Sequence, residues 1–277
     1  MNAFMEFFQT PVPWTSLGLD PVALQLGPLA LRWYSLAYIG GILAAWWLLL
    51  RMVRRPGSPM TAAHVDDLIT WCTLGVILGG RLAYVIFYNP GQYLADPLAV
   101  LKLWEGGMSV HGGLVGVILA ILLYARKAGL SALRILDYAA VVTPLGLMLG
   151  RLANFMNGEL WGRPTDGSWG IIFPDAGPLP RYPSQLFEAG LEGVTLLLLL
   201  NLLFWFTAAR MRPGLLGGLF IACYGVARFA IEFVREPDLQ LGVLPLGLTM
   251  GQLLSLPMIA AGLWLLATCR QRQPQIA

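Results

Sequence analysis

The chain has 277 residues, of which 57% are hydrophobic and only 12% charged, with a mean hydropathy of +0.67. Soluble domains carry about 25% charged residues, so the composition excludes an ordinary water-soluble enzyme and points to a polytopic membrane protein. The formal charge of +3 says little by itself and no nucleic-acid partner is expected; where the charges fall is more informative.

In chain order, the opening stretch "MNAFMEFFQTPVPW" lacks a basic region and a clean apolar core, so it does not read as a cleaved signal peptide. A bilayer crossing needs about 20 apolar residues, and about seven runs qualify. They are residues 33–50, 68–88, 110–124, 135–155, 186–206, 215–233 and 248–267. Between them lie longer segments at 1–30, 89–107 and 158–183. The second reads as an interfacial amphipathic arm. The third, "GELWGRPTDGSWGIIFPDAGPLPRYP", is dense in Gly and Pro and reads as a loop or small hairpin. Gly112xxxGly116, Gly146xxxGly150 and Gly214xxxGly218 are spaced for close helix approach. Cys72, Cys223 and Cys269 are widely separated and read as small apolar residues in helices, with neither a metal nor a cofactor expected. No linker or repeat divides the chain, so residues 1–277 read as one all-α integral membrane domain, with the helical bundle over 31–268.

Basic residues orient the spans. Arg51, Arg54 and Arg55 follow the first; Arg126, Lys127 and Arg134 separate the third and fourth. Arg210 and Arg212 separate the fifth and sixth, and Arg270 and Arg272 follow the last. The opposite connections hold only Lys102, Arg163, Arg181 and Arg235. The positive-inside rule therefore expects an N-terminus outside and a C-terminus in the cytoplasm, with the three longer segments extracytoplasmic.

Ionisable groups within apolar runs cost about 2.5 kcal/mol or more each, which makes them functional candidates. Here they are Arg32, Arg81, Arg151, Arg228, His111, Glu188, Glu192 and Glu232, accompanied by Gln185, Asn154, Asn157 and Glu159. At a rise of about 1.5 Å per residue, Arg151 lies about 9 Å below the outer end of its span and Arg228 about 10 Å below Arg235. Arg81 has a similar depth, and Arg32, His111 and Glu188 fall within the first turns of the first, third and fifth spans, so six helices deliver polar groups to the outer half. Tyr224, Arg228, Glu232 and Arg235 form one stripe; Arg151, Asn154 and Gly158 another; Gln185, Glu188 and Glu192 a third. The bland alternative is a pair of structural ion pairs, Arg228 with Glu232 and Arg151 with Glu188.

With Glu232 assigned to Arg228, arginines outnumber the nearby carboxylates and the layer should favour an anion. Arginine's planar fork suits phosphate, and at this depth the abundant phosphate is that of a phospholipid. His111 is poised to move a proton near neutral pH, and Gly112 and Gly113 beside it would let a substrate come close. His64 reads as a solvated bystander. A transporter for an anionic solute would also use such a layer. Confinement to the outer half, the lack of a repeat and the lack of a polar stripe toward the cytoplasm disfavour it. A purely structural subunit would need neither His111 nor so many arginines.

"GRLANFMNGELWGR" at Gly150 to Arg163 resembles the signature of the bacterial prolipoprotein diacylglyceryl transferases. "LRWYSLAYIGG", "GGRLAYVIFYNP", "GGMSVHGG", "RYPSQLFEA" and "YGVARFAIEFVREPD" are similar to that family's other blocks, and the likeness runs from about Leu31 to Asp238. Two positions depart from it: Tyr182 stands where His is usual, and Phe187 where Tyr is common. The resemblance implies a seven-helix inner-membrane fold that works toward the outer leaflet. It also implies transfer of the diacylglyceryl group of phosphatidylglycerol to the lipobox cysteine of a preprolipoprotein signal peptide, among membrane lipids, with release of glycerol phosphate. By position in the motifs it implies roles for Tyr34, His111, Arg151, Asn154, Glu159, Gly162, Tyr224, Arg228 and Glu232. With Arg81 from the polar layer, the expected catalytic residues are His111, Arg151 and Arg228. The others are expected to bind substrate.

Overall fold

Apolar runs of this length close their backbone hydrogen bonds within themselves, because nothing in hydrocarbon can accept them. The structure, a computed structural model, describes residues 11–166, 169–237, 244 and 247–272. In chain order the elements are β1 (Val12–Pro13), β2 (Val22–Leu26), β3 (Leu29–Arg32), α1 (Trp33–Met52), α2 (Ala62–Phe87), the short α3 (Pro90–Ala95), α4 (Val110–Ala128) and α5 (Ala132–Met156). Then follow β4 (Ile171–Ile172), α6 (Ser184–Phe206), α7 (Leu215–Ile231) and α8 (Met250–Thr268). Six of these helices are long and apolar enough to cross a membrane, and α7 is a shorter apolar helix. The chain is therefore an all-α polytopic membrane protein. Leu78 and Leu82 on α2, Leu198 and Leu202 on α6, and Trp264 on α8 are among many large apolar side chains left exposed, as a hydrocarbon solvent permits.

All seven expected spans fall on helices. The sixth stops at Ile231, two residues before its expected end, because the backbone turns at Glu232 to Val234. By internal contacts the described chain forms two units, residues 46–136 and residues 11–45 with 137–272. Their boundaries fall inside α1 and α5, not in a linker, so composition carries no trace of them.

In the smaller unit, α2 and α4 touch backbone to backbone. A Cβ on Gly79 would lie 2.4 Å from the Gly112 carbonyl oxygen, and one on Gly116 would lie 2.0 Å from that of Gly75. This is the approach that the Gly112xxxGly116 spacing anticipates. Two polar residues differ from their sequence reading. Arg134, counted as a loop cation, is fully buried and donates to the Gly57 carbonyl at 2.7 Å. His64 closes a capping box at the start of α2, its Nδ1 accepting from the Thr61 N–H at 3.2 Å.

In the larger unit, Asp137 accepts from the N–H groups of Gly214 at 2.7 Å and Gly217 at 2.8 Å, placing an anion at the N-terminus of α7. α7 and α8 meet at Gly218, Gly225 and Gly262. A Cβ on Gly146 or Gly150 would meet nothing within 4 Å, whereas one on Gly41 of α1 would lie 3.7 Å from the Gly146 Cα, so α1 passes α5 there in ordinary van der Waals contact. β2 and β3 form an antiparallel hairpin that feeds straight into α1. β1 pairs in parallel with β4, and Trp14 donates to the Phe155 carbonyl at 2.9 Å. Phe173 is fully buried between Phe155 and Trp161. Residues 158–166 and 169–183 thus build a small head with the N-terminal strand.

Gly79→Ala should lower the thermal unfolding midpoint of the purified protein by an overpacking cost of about 1–3 kcal/mol. Gly40→Ala on α1, where a Cβ meets nothing within 4 Å, should leave the midpoint unchanged or raised.

Candidate functional site

Charged side chains from α5, α6 and the end of α7 converge in the larger unit. Arg151 sits near the end of α5, and Glu188 and Glu192 lie four apart on α6. Arg228 and Glu232 lie four apart at the end of α7, with Arg235 just beyond. Glu188 Oε2 is 2.8 Å from Arg151 Nε and accepts from an Arg228 terminal nitrogen at 3.2 Å. Arg228 also pairs with Glu232 Oε1, and Arg235 approaches Glu232 at 3.6 Å and Glu188 at 3.9 Å. The Thr249 hydroxyl, at the N-cap of α8, donates to Glu232 Oε2 at 2.5 Å.

Glu192 is the least satisfied member. Both its oxygens are buried without a hydrogen bond, 4.0 Å from Arg151 and 3.9 Å from Arg228. It lies in a π-helical segment, Ala189–Thr195, that interrupts α6. Such segments are rare and occur mostly at functional sites.

The two ion pairs of the bland alternative are both present, yet they are not separate, because Glu188 joins them. The expected surplus of arginines is absent: the cluster holds three arginines and three glutamates among the described residues. What distinguishes the two signs of charge is their exposure. The side chains of Arg151, Arg228 and Arg235 are 21%, 15% and 11% exposed, whereas those of Glu188, Glu192 and Glu232 are 0%, 0% and 2%. A visitor meets guanidinium first. Among the described residues, the two terminal nitrogens of Arg151 donate to no protein group, leaving a fork suited to phosphate oxygens.

The signature segment forms the neighbouring wall. Asn154 and Asn157 each donate to Glu159 Oε1, at 2.9 and 3.0 Å, and Gln185 donates to the Glu159 backbone carbonyl at 2.6 Å. The Tyr34 ring lies 5.1 Å from that of Tyr38, centroid to centroid, and Tyr34 lies in the field of Glu159 and Arg151. Tyr224 lies in the field of Glu192, Arg228 and Arg151. Gly162 is a backbone crossing: a Cβ there would meet the carbonyl oxygens of Val234 at 2.5 Å and Tyr182 at 2.7 Å. Arg163 donates to the carbonyls of Arg235 and Glu232, tying the head to the end of α7. Tyr182 joins the head through its backbone, its carbonyl accepting from the Gly162 N–H and its N–H donating to the Arg163 carbonyl.

Of the residues expected from sequence, this unit brings together Tyr34, Arg151, Asn154, Glu159, Tyr224, Arg228 and Glu232. His111 and Arg81 belong to the smaller unit. His111 is exposed in the first turn of α4 and lines a cleft of about 310 Å³ with apolar walls such as Phe87 and Leu119. Arg81, expected to bind substrate, turns all five of its N–H groups to loop carbonyls in this structure. Thr249 carries no signal in the sequence, since its link to Glu232 spans 17 residues outside any shared helix. Arg235, Glu188 and Glu192 stand in the polar stripes, where their spacing marks them.

Buried carboxylates beneath more exposed arginines, set among apolar helices, make a charged cluster inside a polytopic membrane protein. The profile of the prolipoprotein diacylglyceryl transferase family matches residues 21–268, and the chain belongs to that family. It is 53% identical to a phosphatidylglycerol–prolipoprotein diacylglyceryl transferase of Zymomonas mobilis, over 98% of each chain. It is 55% identical to the protein of that name from Rhodospirillum rubrum, over 96% of this chain and 97% of the other. With the protein of that name from Nitratidesulfovibrio vulgaris it shares 53% identity over 90% and 94%. The protein is accordingly a transferase and not an anion transporter.

Glu188→Gln removes the carboxylate shared by two half-buried arginines, one of which keeps Glu232, and should reduce stability by up to about 3 kcal/mol, read as unfolding of the purified protein. Loss of only a few tenths would mean that Glu188 is not the hub of the cluster.

Proposed function

We propose that this protein transfers the diacylglyceryl group of phosphatidylglycerol to the lipobox cysteine thiol of a preprolipoprotein, making a thioether and releasing glycerol phosphate. The observation that carries this reading is the order of exposure in the charge cluster, with guanidinium groups reachable and carboxylates beneath them. Phosphatidylglycerol brings one negative charge, and that charge doubles on the phosphate as the ester breaks.

The free thiol has a pKa of about 8.5, so only a minority is thiolate at neutral pH. His111 takes the thiol proton. The thiolate sulfur attacks the glycerol carbon that bears the phosphate ester, a C–S bond forms, and the C–O bond breaks with its electron pair leaving on phosphate. Arg151 and Arg228 stabilise the charge that grows there. Glu232 orients Arg228, and Glu188 holds both guanidinium groups in reach of one phosphate. Asn154 and Glu159 shape the adjoining pocket, bordered by the hydroxyls of Tyr34 and Tyr224. Gly162 serves by letting the head backbone cross closely.

The site works toward the outer leaflet of the bacterial inner membrane, with the N-terminus outside and the C-terminus cytoplasmic. What supports this is the charge bias of alternate connections, which survives the loss of Arg134 from the count because Arg51, Arg54, Arg55, Arg126 and Lys127 remain.

Purified protein incubated with glycerol-labelled phosphatidylglycerol and a lipobox peptide should pass diacylglyceryl label to the peptide, and none to its Cys→Ser form. His111→Gln should lower the rate by about 10²–10⁴-fold. Arg228→Lys should lower kcat/KM by about tenfold or more, since an ammonium cannot make the bidentate contact. Wild-type rates in either variant would remove the role assigned to that residue.

A further inference from the structure

We propose that Arg81 is a positioning residue that acts through His111: it locks the loop between α2 and α4 and thereby fixes where α4 begins. The inference rests on the proposed role of His111. Arg81 is 4% exposed. Its Nε donates to the Val100 carbonyl at 2.9 Å, one terminal nitrogen to those of Gly106 and Gly107, and the other to Ala99 at 2.6 Å and Lys102 at 3.1 Å. The Tyr93 ring of α3 lies 5.3 Å from the guanidinium carbon. Among the described residues no carboxylate pairs with it; the nearby Asp96 and Glu105 pair with Lys102 instead. A buried cation held only by carbonyl dipoles is costly unless every donor is used, and here every donor is used.

The loop so gathered, residues 99–107, ends two residues before the N-cap of α4. Gly80, next to Arg81, accepts from the Ser109 N–H at 2.9 Å, and Ser109 caps the helix by accepting from Gly112. His111 is the second residue of that helix. Consecutive residues of α2 therefore fix both the loop and the first turn that carries His111. Gly107 completes the lock. Its φ is +82°, and a Cβ there would meet the Tyr84 ring at 2.6 Å and an Arg81 terminal nitrogen at 2.9 Å. A lysine at position 81 has three donors on a flexible stem and cannot serve five carbonyls in a fixed fork.

The test compares transfer kinetics of the full-length protein, with phosphatidylglycerol and a lipobox peptide, for Arg81→Lys and Gly107→Ala, each alone and combined with His111→Gln. Each single variant should lower kcat about tenfold or more while KM for phosphatidylglycerol stays within about twofold, because misplacing a catalytic group by about 1 Å can cost 10²-fold. In the His111→Gln background neither should cost more than about twofold further, since residues acting as one unit are not additive. Amides of residues 100–109 should exchange faster in both variants. A raised KM with unchanged kcat would overturn the proposal by making Arg81 a headgroup ligand. Equal losses with and without His111 would overturn it too, as would unchanged amide protection. If one variant fails to fold, the other decides. Full activity of His111→Gln would instead remove the role of His111 itself, whereas a slow His111→Gln beside wild-type Arg81→Lys and Gly107→Ala would refute this inference alone.

Discussion

Glu188 is the residue on which the charged site depends. It is fully buried on α6, and one of its oxygens meets Arg151 from α5 and Arg228 from α7. Taking these charges out of water is expensive, and the expense is offset only where attraction in the low-dielectric interior is strong and geometry is good. The carboxylate therefore decides where two guanidinium groups stand. Glu232 and Thr249 repeat the arrangement one turn further along, extending it to α8. The helices could pack by their glycines and leucines without any of this. What the ion network adds is a fixed geometry for cations that open to the outside while their partners do not.

This alters the reason for expecting an anion. A count of charges along the sequence suggests an excess of arginine, and the structure has none. In the proposed site, burial does the selecting, with carboxylates fully covered and arginine side chains partly exposed above them. Glu192, with two unbonded oxygens in a π-helical turn, is the member of the cluster with the least local support.

Much of the fold is legible in the sequence because membrane helices must be long, apolar and internally hydrogen bonded, and these are local properties. Arg151, Asn154, Arg228 and Glu232 stand out for the same reason, as polar residues in apolar runs at helical spacing. Tertiary geometry is where the sequence falls silent. The Thr249 link crosses elements, the roles of Gly162 and Tyr182 lie in backbone crossings of the head, and the division into two units falls within helices. For Arg81, depth along the sequence says nothing of where its donors turn. It has the right residue type at the right height, yet its donors are turned to loop carbonyls. Arg134 and His64 give the same lesson near the other helix ends, one buried and one a cap.

The most direct test of the proposed headgroup site is the phosphorus resonance of phosphatidylglycerol bound to purified protein in neutral detergent. The resonance should shift on binding to the wild type, change position with Arg228→Lys, and revert to the free value in the Arg151→Gln, Arg228→Gln double variant. A bound resonance that survives unchanged in the folded double variant would contradict the account, because the phosphate would then be held by groups other than the pair that Glu188 brings together.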